Sequence, residues 1–244
     1  MSGHSKWHNI AQKKGKADAA RANVFTKIGR EIAIAVKNGG ADPASNSELR
    51  NVIAKAKANN MPNDNIQRAI KKGTGELGGA TYEELTFEGY GPGGVAFIVN
   101  CLTDNTNRTT SSVRSSFDKQ GGNLGTPGCV AYMFSRKGYF LIEKTDAIDE
   151  DALMETALEA GADDMVTEED SFTIYSDPSV YTDVHQALTE AGYELVESDV
   201  EFIPSMESTP GENDVPKLKK LVEVLEDNED VQKVQTNCAI DLYE

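Results

Sequence analysis

The first part of the chain repeats apolar residues at helical spacing; the rest alternates them or runs them together, so helices come first and strands follow. Val24, Phe25, Ile28, Ile32, Ala35 and Val36 form one stripe, with Lys27, Arg30 and Lys37 outside it. Gly39, Gly40 and Pro43 stop that helix, and Ser45 with Glu48 has the spacing of a capping box. Leu49, Val52, Ile53 and Ala56 then share one face of a second helix that ends at Asn59 and Asn60. Pro62 or Asn63 opens a short third helix with Ile66 and Ile70 one turn apart, closed by Gly73 after Lys71 and Lys72. The three helices predict a small bundle, joined to the remainder by the glycine-rich residues 73–79.

From about residue 80 the period changes. Leu85 and Phe87 alternate with polar residues, Gly89–Gly94 turns the chain, and Val95–Leu102 is an apolar run, interrupted at Asn100, that predicts a central strand. Arg108–Lys119 reads as a helix with Val113 and Phe117 stacked, and Val130, Tyr132 and Phe134 alternate as in a strand. The next unit reads as strand 139–143, helix 150–160, strand 172–175, helix 180–191 and strand 193–203. A polar loop with Pro204, Pro210 and Gly211 leads to a helix carrying Leu218, Leu221, Val222 and Leu225, then a weak strand at 231–236. Short alternating units of this kind predict an α+β chain of three domains: a three-helix domain followed by two split β-α-β, ferredoxin-like sandwiches. The expected boundaries are 1–79 for the helical domain, 80–135 plus 206–244 for one α/β domain, and 136–205 for a second inserted in it.

Charge sharpens this division. The 244 residues carry 24 Lys+Arg against 40 Asp+Glu, a formal net of -16. Residues 1–79 hold 14 basic and 6 acidic side chains, a net of +8; residues 80–244 hold 10 and 34, a net of -24. A basic module on an acidic body docks on phosphate while the body stays clear of it. The basic arm begins His4-Ser5-Lys6-Trp7-His8 and continues through Lys13, Lys14, Lys16, Arg21, Lys27 and Arg30. Lysines and arginines release counterions from phosphate, and Trp7, the only tryptophan, offers a face for stacking on an unpaired base. The competing reading is a solvated helix face with Trp7 as a packing anchor. Asp104–Thr109 presents Arg108 and backbone N–H groups to an anion, or equally caps its own helix.

Other chemistry is poorly supported. His4 and His8 have helical spacing but no third ligand nearby, so no metal is expected. Gly73–Gly78 spells G-x-G-x-x-G in the wrong context, helix before and strand after, and Gly89–Gly94 lacks the Lys-Ser/Thr of a phosphate loop. Asp163-Asp164 and Glu168–Asp170 lack the order of a calcium loop and read as a solvated acidic face. His185 has no nucleophile beside it, and Cys101, Cys129 and Cys238 read as free thiols in a reducing compartment. No catalytic residues, cofactor or small-molecule substrate are expected. No run reaches the roughly 18–20 apolar residues that span a bilayer, and the start has no apolar signal core, so the expected location is cytoplasmic with no membrane partner.

Several segments together resemble the YebC/PmpR family: Gly3–Trp7, Phe25–Ile32, Gly39–Pro43, Asn60–Ile70, Glu88–Gly94, Asp104–Thr109 and Gly121–Gly125. The resemblance runs in order from residue 3 to about 240 and implies the same three domains, the third inserted in the second. It implies a non-enzymatic regulator of gene expression. Members are commonly labelled DNA-binding transcription regulators; the mitochondrial relative is a translational activator for a cytochrome oxidase subunit, and bacterial relatives resemble ribosome-associated factors that relieve stalling at proline runs. The expectation is thus a DNA-binding transcriptional regulatory protein. The alternative is a translation factor on ribosomal RNA or tRNA, which the glycine-rich loops and Trp7 suit. A duplex reader ordinarily shows a recognition helix and a dimer pattern; no such dimer pattern is visible here.

Overall fold

The computed structural model describes residues 18–77 and 82–242, with side chains from Ala22 onward. Helix α1 (Asp18–Gly39) packs against α2 (Ser47–Ala58) and α3 (Asn63–Gly73). Its stripe of Ile28, Ile32, Ala35 and Val36 meets Leu49 and Ala56 of α2 and Ile66 and Ala69 of α3 in one buried cluster. Gly73 closes α3 against α1 so tightly that a Cβ there would lie 2.7 Å from Ala33 O.

Helix α2 is capped differently from expectation. Asn46, not Ser45, is the N-cap: its Oδ1 accepts from Leu49 N at 3.0 Å. Its amide also donates to Ala35 O and Gly40 O, each at 2.8 Å, and so serves the exposed carbonyl end of α1. The buried asparagine offers two N–H donors and an acceptor at once, whereas the Ser45 hydroxyl has a single donor and gives it to Asp42 O. Gly40 takes a left-handed φ of 87° and donates its N–H to Val36 O, which ends α1.

The first sheet has order β3-β1-β2-β8, from β1 (Glu83–Tyr90), β2 (Ala96–Thr103), β3 (Asn123–Leu124) and β8 (Val231–Thr236). Helices α4 (Thr106–Lys119) and α7 (Val215–Glu226) cover one face. Phe97, Val99 and Cys101 of β2 pack there against Val113, Phe117, Leu218 and Leu221, with the Phe97 and Phe117 rings edge-to-face at 5.7 Å. Ala96 and Ile98 point the other way, onto Val130, Phe134 and Phe202. The expected central strand is therefore buried on both faces.

The second sheet has order β5-β6-β4-β7, from β4 (Phe134–Glu143), β5 (Ala162–Thr167), β6 (Ser171–Ser176) and β7 (Leu195–Pro204). Helices α5 (Glu150–Glu159) and α6 (Tyr181–Glu190) bury Leu153, Ala157, Val184 and Leu188 against Phe140, Ile142, Phe172 and Ile174. The whole is α+β, a helical part followed by two four-stranded sheets, and all main strand pairings are antiparallel. Because β8 follows the entire second sheet in sequence yet pairs with β2, the tail returns to the first sheet.

Two expectations need correcting. Val130–Phe134 is not a strand: Ala131–Met133 is a 3₁₀ turn and the strand begins at Phe134. The reason is a distant partner: the Glu88 carboxylate takes the N–H groups of Gly128, Val130 and Ala131 that a ladder would need. Asp163 and Asp164 are exposed, as expected of a solvated acidic face, but they lie on an edge strand not expected there, β5, whose alternation is broken by a bulge between Ala162 and Asp164. Among the described residues, no helix is long and apolar enough to cross a membrane.

Candidate nucleic-acid interface

The residues expected to touch nucleic acid separate into three groups. Lys6, Trp7, Lys13, Lys14 and Lys16 lie outside the described residues, and so does the side chain of Arg21, whose backbone sits in the first turn of α1. Lys27 and Arg30 face the body of the protein. Arg108, in the first turn of α4, shares the Asp230 carboxylate with Arg30.

The inward-facing residues of α1 form a row. Asn23 Nδ2 donates to Asp227 O at 3.1 Å and Lys27 Nζ to Glu226 O at 2.6 Å, both at the carbonyl end of α7, where positive charge offsets the helix dipole. One turn further along, Arg30 is 8% exposed and its Nη1 donates to Asp230 Oδ1 at 2.8 Å, to Leu102 O at 3.3 Å and to Glu229 O. A phosphate has no access to such a group. On the other side of Asp230, Arg108 donates through Nη2 at 2.9 Å and through Nε at 3.2 Å, and Thr109 Oγ1 donates at 2.8 Å.

Arg108 also pairs with Asp104 at 2.8 Å, which holds the Asp104 carboxyl below its ordinary range. The Arg108 backbone N–H is taken by the Asn105 N-cap at 3.0 Å. The Asp104–Thr109 segment thus caps its own helix and neutralises its own arginine. A surface groove of about 300 Å³ beside it is lined by Arg108, Ser112, Asp227, Asn228 and Asp230, and so offers an anion no net positive charge.

Outward-facing positive charge lies elsewhere on the helical part. Arg50 and Lys57 of α2 and Arg68 and Lys71 of α3 are exposed, with no ion-pair partner among the described residues. Lys55 is paired with Glu31 at 2.8 Å, and Lys72 donates to Tyr82 Oη at 3.0 Å while its ammonium lies over the same ring. Lys57 and Lys71 sit in the last turns of their helices, which the dipole favours. The density of charge along the arm does not mark these four. Their signal was position: each lies off the apolar stripe of its helix.

The TACO1/YebC N-terminal domain model matches residues 5–76, and the model of the TACO1/YebC second and third domain matches residues 82–238. The chain belongs to the TACO1/YebC family. A probable transcriptional regulatory protein of Clostridium novyi is 58% identical over 238 residues, covering 98% of this chain and 97% of that protein. One of Hathewaya histolytica with the same description is 54% identical over 238 residues, with the same coverage. The crystal structure of a conserved hypothetical protein from Aquifex aeolicus is similar with a TM-score of 0.83 at 44% identity, covering 91% of this chain and 92% of that one. The names given to these curated relatives are those of regulators, not of enzymes.

Three titratable side chains of this TACO1/YebC member, Glu88, Cys101 and His185, are shifted by their surroundings. Burial opposes the charge on Glu88, yet three backbone N–H bonds of 2.7–2.9 Å outweigh it and pull the carboxyl below its usual range. Burial pushes the Cys101 thiol up to about 12, with Asp230 nearby adding to the effect. His185 lies beside the rings of Phe140 and Tyr181, and burial lowers its pKa.

Proposed function

We propose that the protein is a non-enzymatic, nucleic-acid-binding regulator of gene expression, of the DNA-binding transcriptional kind. The reading is carried by one observation: the net +8 of residues 1–79 against the net -24 of the remainder. The exposed Arg50, Lys57, Arg68 and Lys71, without an ion-pair partner among the described residues, support it. Lys6, Trp7, Lys13, Lys14, Lys16 and Arg21 extend the binding surface along the chain, whereas Arg30, Lys27 and Arg108 act in its framework. Helix α3 presents Gln67, Arg68 and Lys71 to solvent, side-chain types that reach base edges and phosphates. The relatives named as transcriptional regulators support the DNA form.

A second reading has its own support. Trp7 stands in the basic arm beside Lys6, and a stacking aromatic among lysines suits unpaired or irregular RNA, the target of a ribosome-associated translation factor. Binding of the full chain to duplex DNA and to folded RNA of equal length, measured across a salt series, tests both. Each phosphate neutralised adds roughly 0.7–0.9 to the slope of log affinity against log salt. Salt-dependent binding to duplex supports the first reading, preference for folded RNA supports the second, and binding to neither overturns both.

A further inference from the structure

Residues 230–233 of the returning tail touch all three parts of the molecule. Asp230 holds Arg30 of the helical part at 2.8 Å, and Arg108 at 2.9 Å and Thr109 at 2.8 Å on the first-sheet unit. Its backbone carbonyl also accepts from Leu102 N at 2.8 Å, at the end of β2. In β8, Lys233 donates to Asp199 Oδ2 at 2.5 Å and to Glu201 Oε1 at 2.7 Å, both on β7 of the second sheet. Burial opposes the charge on Lys233, but Glu201 and Asp199 outweigh it and keep the ammonium well above the ordinary lysine range.

Apolar contacts cross the same junctions. Ala33 and Ile34 of α1 meet Tyr82 and Leu102, and Phe134 and Phe202 meet Ala96 and Ile98. Apolar burial is non-directional and holds surfaces together without by itself fixing an angle between them. A buried carboxylate shared by two guanidinium groups, or an ammonium held by two carboxylates, fixes direction as well as distance.

We propose that Asp230 and Lys233 are positioning residues. Asp230 sets the orientation of the basic helical part on the first sheet, and Lys233 sets that of the acidic second-sheet unit. The phosphate-facing helices are thereby held at a set angle to the acidic face that phosphate repels. The purpose given to this orientation rests on the nucleic-acid reading; the orientation itself does not.

The test places spin labels, through a non-canonical keto amino acid, at exposed Gln67 on α3, Lys119 on α4 and Glu155 on α5 of the full chain. Distances are read pairwise with and without substitution. Asp230→Asn should abolish the single narrow 67–119 distance and leave 119–155 unchanged, with helicity intact. Lys233→Met should do the reverse. If Asp230→Asn does not fold, Arg30→Gln disrupts the same junction while Arg108 still neutralises Asp230. Narrow distributions in the variants, or broadening of both distances by either one, would overturn the proposal. In nucleic-acid titrations, Asp230→Asn should lower affinity with an unchanged salt slope, because each phosphate contact survives. Failure of the parent chain to bind at all would sink the functional reading yet leave the distances to decide the positioning.

Discussion

Arg30 and Asp230, 200 positions apart in sequence, meet at 2.8 Å with both side chains buried. The pair turns a helix arginine that the charge pattern placed at a phosphate surface into part of the joint between the helical part and the first sheet. Removing one partner of a buried ion pair typically costs about 3–5 kcal/mol, because the other charge is left without compensation. Arg108 remains on Asp230 in Arg30→Ala, so the loss should fall near the lower end of that range. Urea unfolding reads it directly, and an unchanged midpoint would show the pair to be energetically idle.

Val99 is fully buried on the helix-facing side of β2 and pairs across to Phe87 and Val234. Val99→Asp would place a carboxylate among Phe117, Leu221 and Leu225 with no partner provided. Several kcal/mol of destabilisation should follow, from the cost of an unpaired charge in an apolar core. Thermal melting checks this; a wild-type Tm would contradict the packing of that face.

Glu88 supplies a pH-dependent increment of stability. Burial alone would raise its pKa, but the N–H groups of Gly128, Val130 and Ala131 win, and the folded-state value lies below the unfolded one. The increment is therefore full above the unfolded carboxyl pKa of about 4.3 and is lost as pH falls through the folded value. Glu88→Gln should cost about 1–3 kcal/mol at neutral pH, by weakening charge-assisted bonds and presenting an amide N–H₂ to backbone donors. The gap between the two proteins should close in acid. Unfolding free energies at several pH values test this, and a gap that widens as pH falls would refute the assignment.

Most of the element order was legible because each helix buries one stripe and β2 is apolar but for Asn100 and Thr103. The Ile28–Val36 stripe and the Leu218–Leu225 stripe both face cores as the periodicity implied. What escaped was decided by distant partners. Val130 and Tyr132 alternate like strand residues, yet Glu88, some forty positions earlier, claims the local N–H groups. The Asn46 cap was hidden behind the stronger-looking Ser45–Glu48 pattern, since only the fold brings Ala35 O within its reach. Among the candidate site residues, charge density marks the basic end of the chain but not the direction of each side chain. Arg30 and Arg68 look alike in sequence; one faces Asp230 and the other solvent.

That difference makes a paired experiment decisive. Arg50→Ala, Arg68→Ala and Lys71→Ala combined should leave the unfolding midpoint nearly unchanged, since exposed charges contribute little to stability. The same variant should weaken nucleic-acid binding and flatten its salt slope. Equal affinity and slope would remove α2 and α3 from the interface.

Trp7 and the lysines that follow it should fail in different ways. Stacking on an unpaired base is worth about 1–3 kcal/mol by alanine substitution and does not release counterions, whereas lost phosphate contacts reduce the salt dependence. Trp7→Ala should therefore keep the salt slope and lose affinity chiefly for single-stranded or irregular RNA. Lys13→Ala, Lys14→Ala and Lys16→Ala together should weaken binding to every nucleic acid and lower the slope. Binding isotherms on duplex DNA, a folded RNA and a single strand of equal length distinguish these outcomes. A Trp7→Ala variant that loses duplex and RNA affinity equally would take away the residue on which the RNA reading stands. One that loses its helicity instead would make Trp7 a packing anchor, the competing reading of an aromatic side chain in a basic arm.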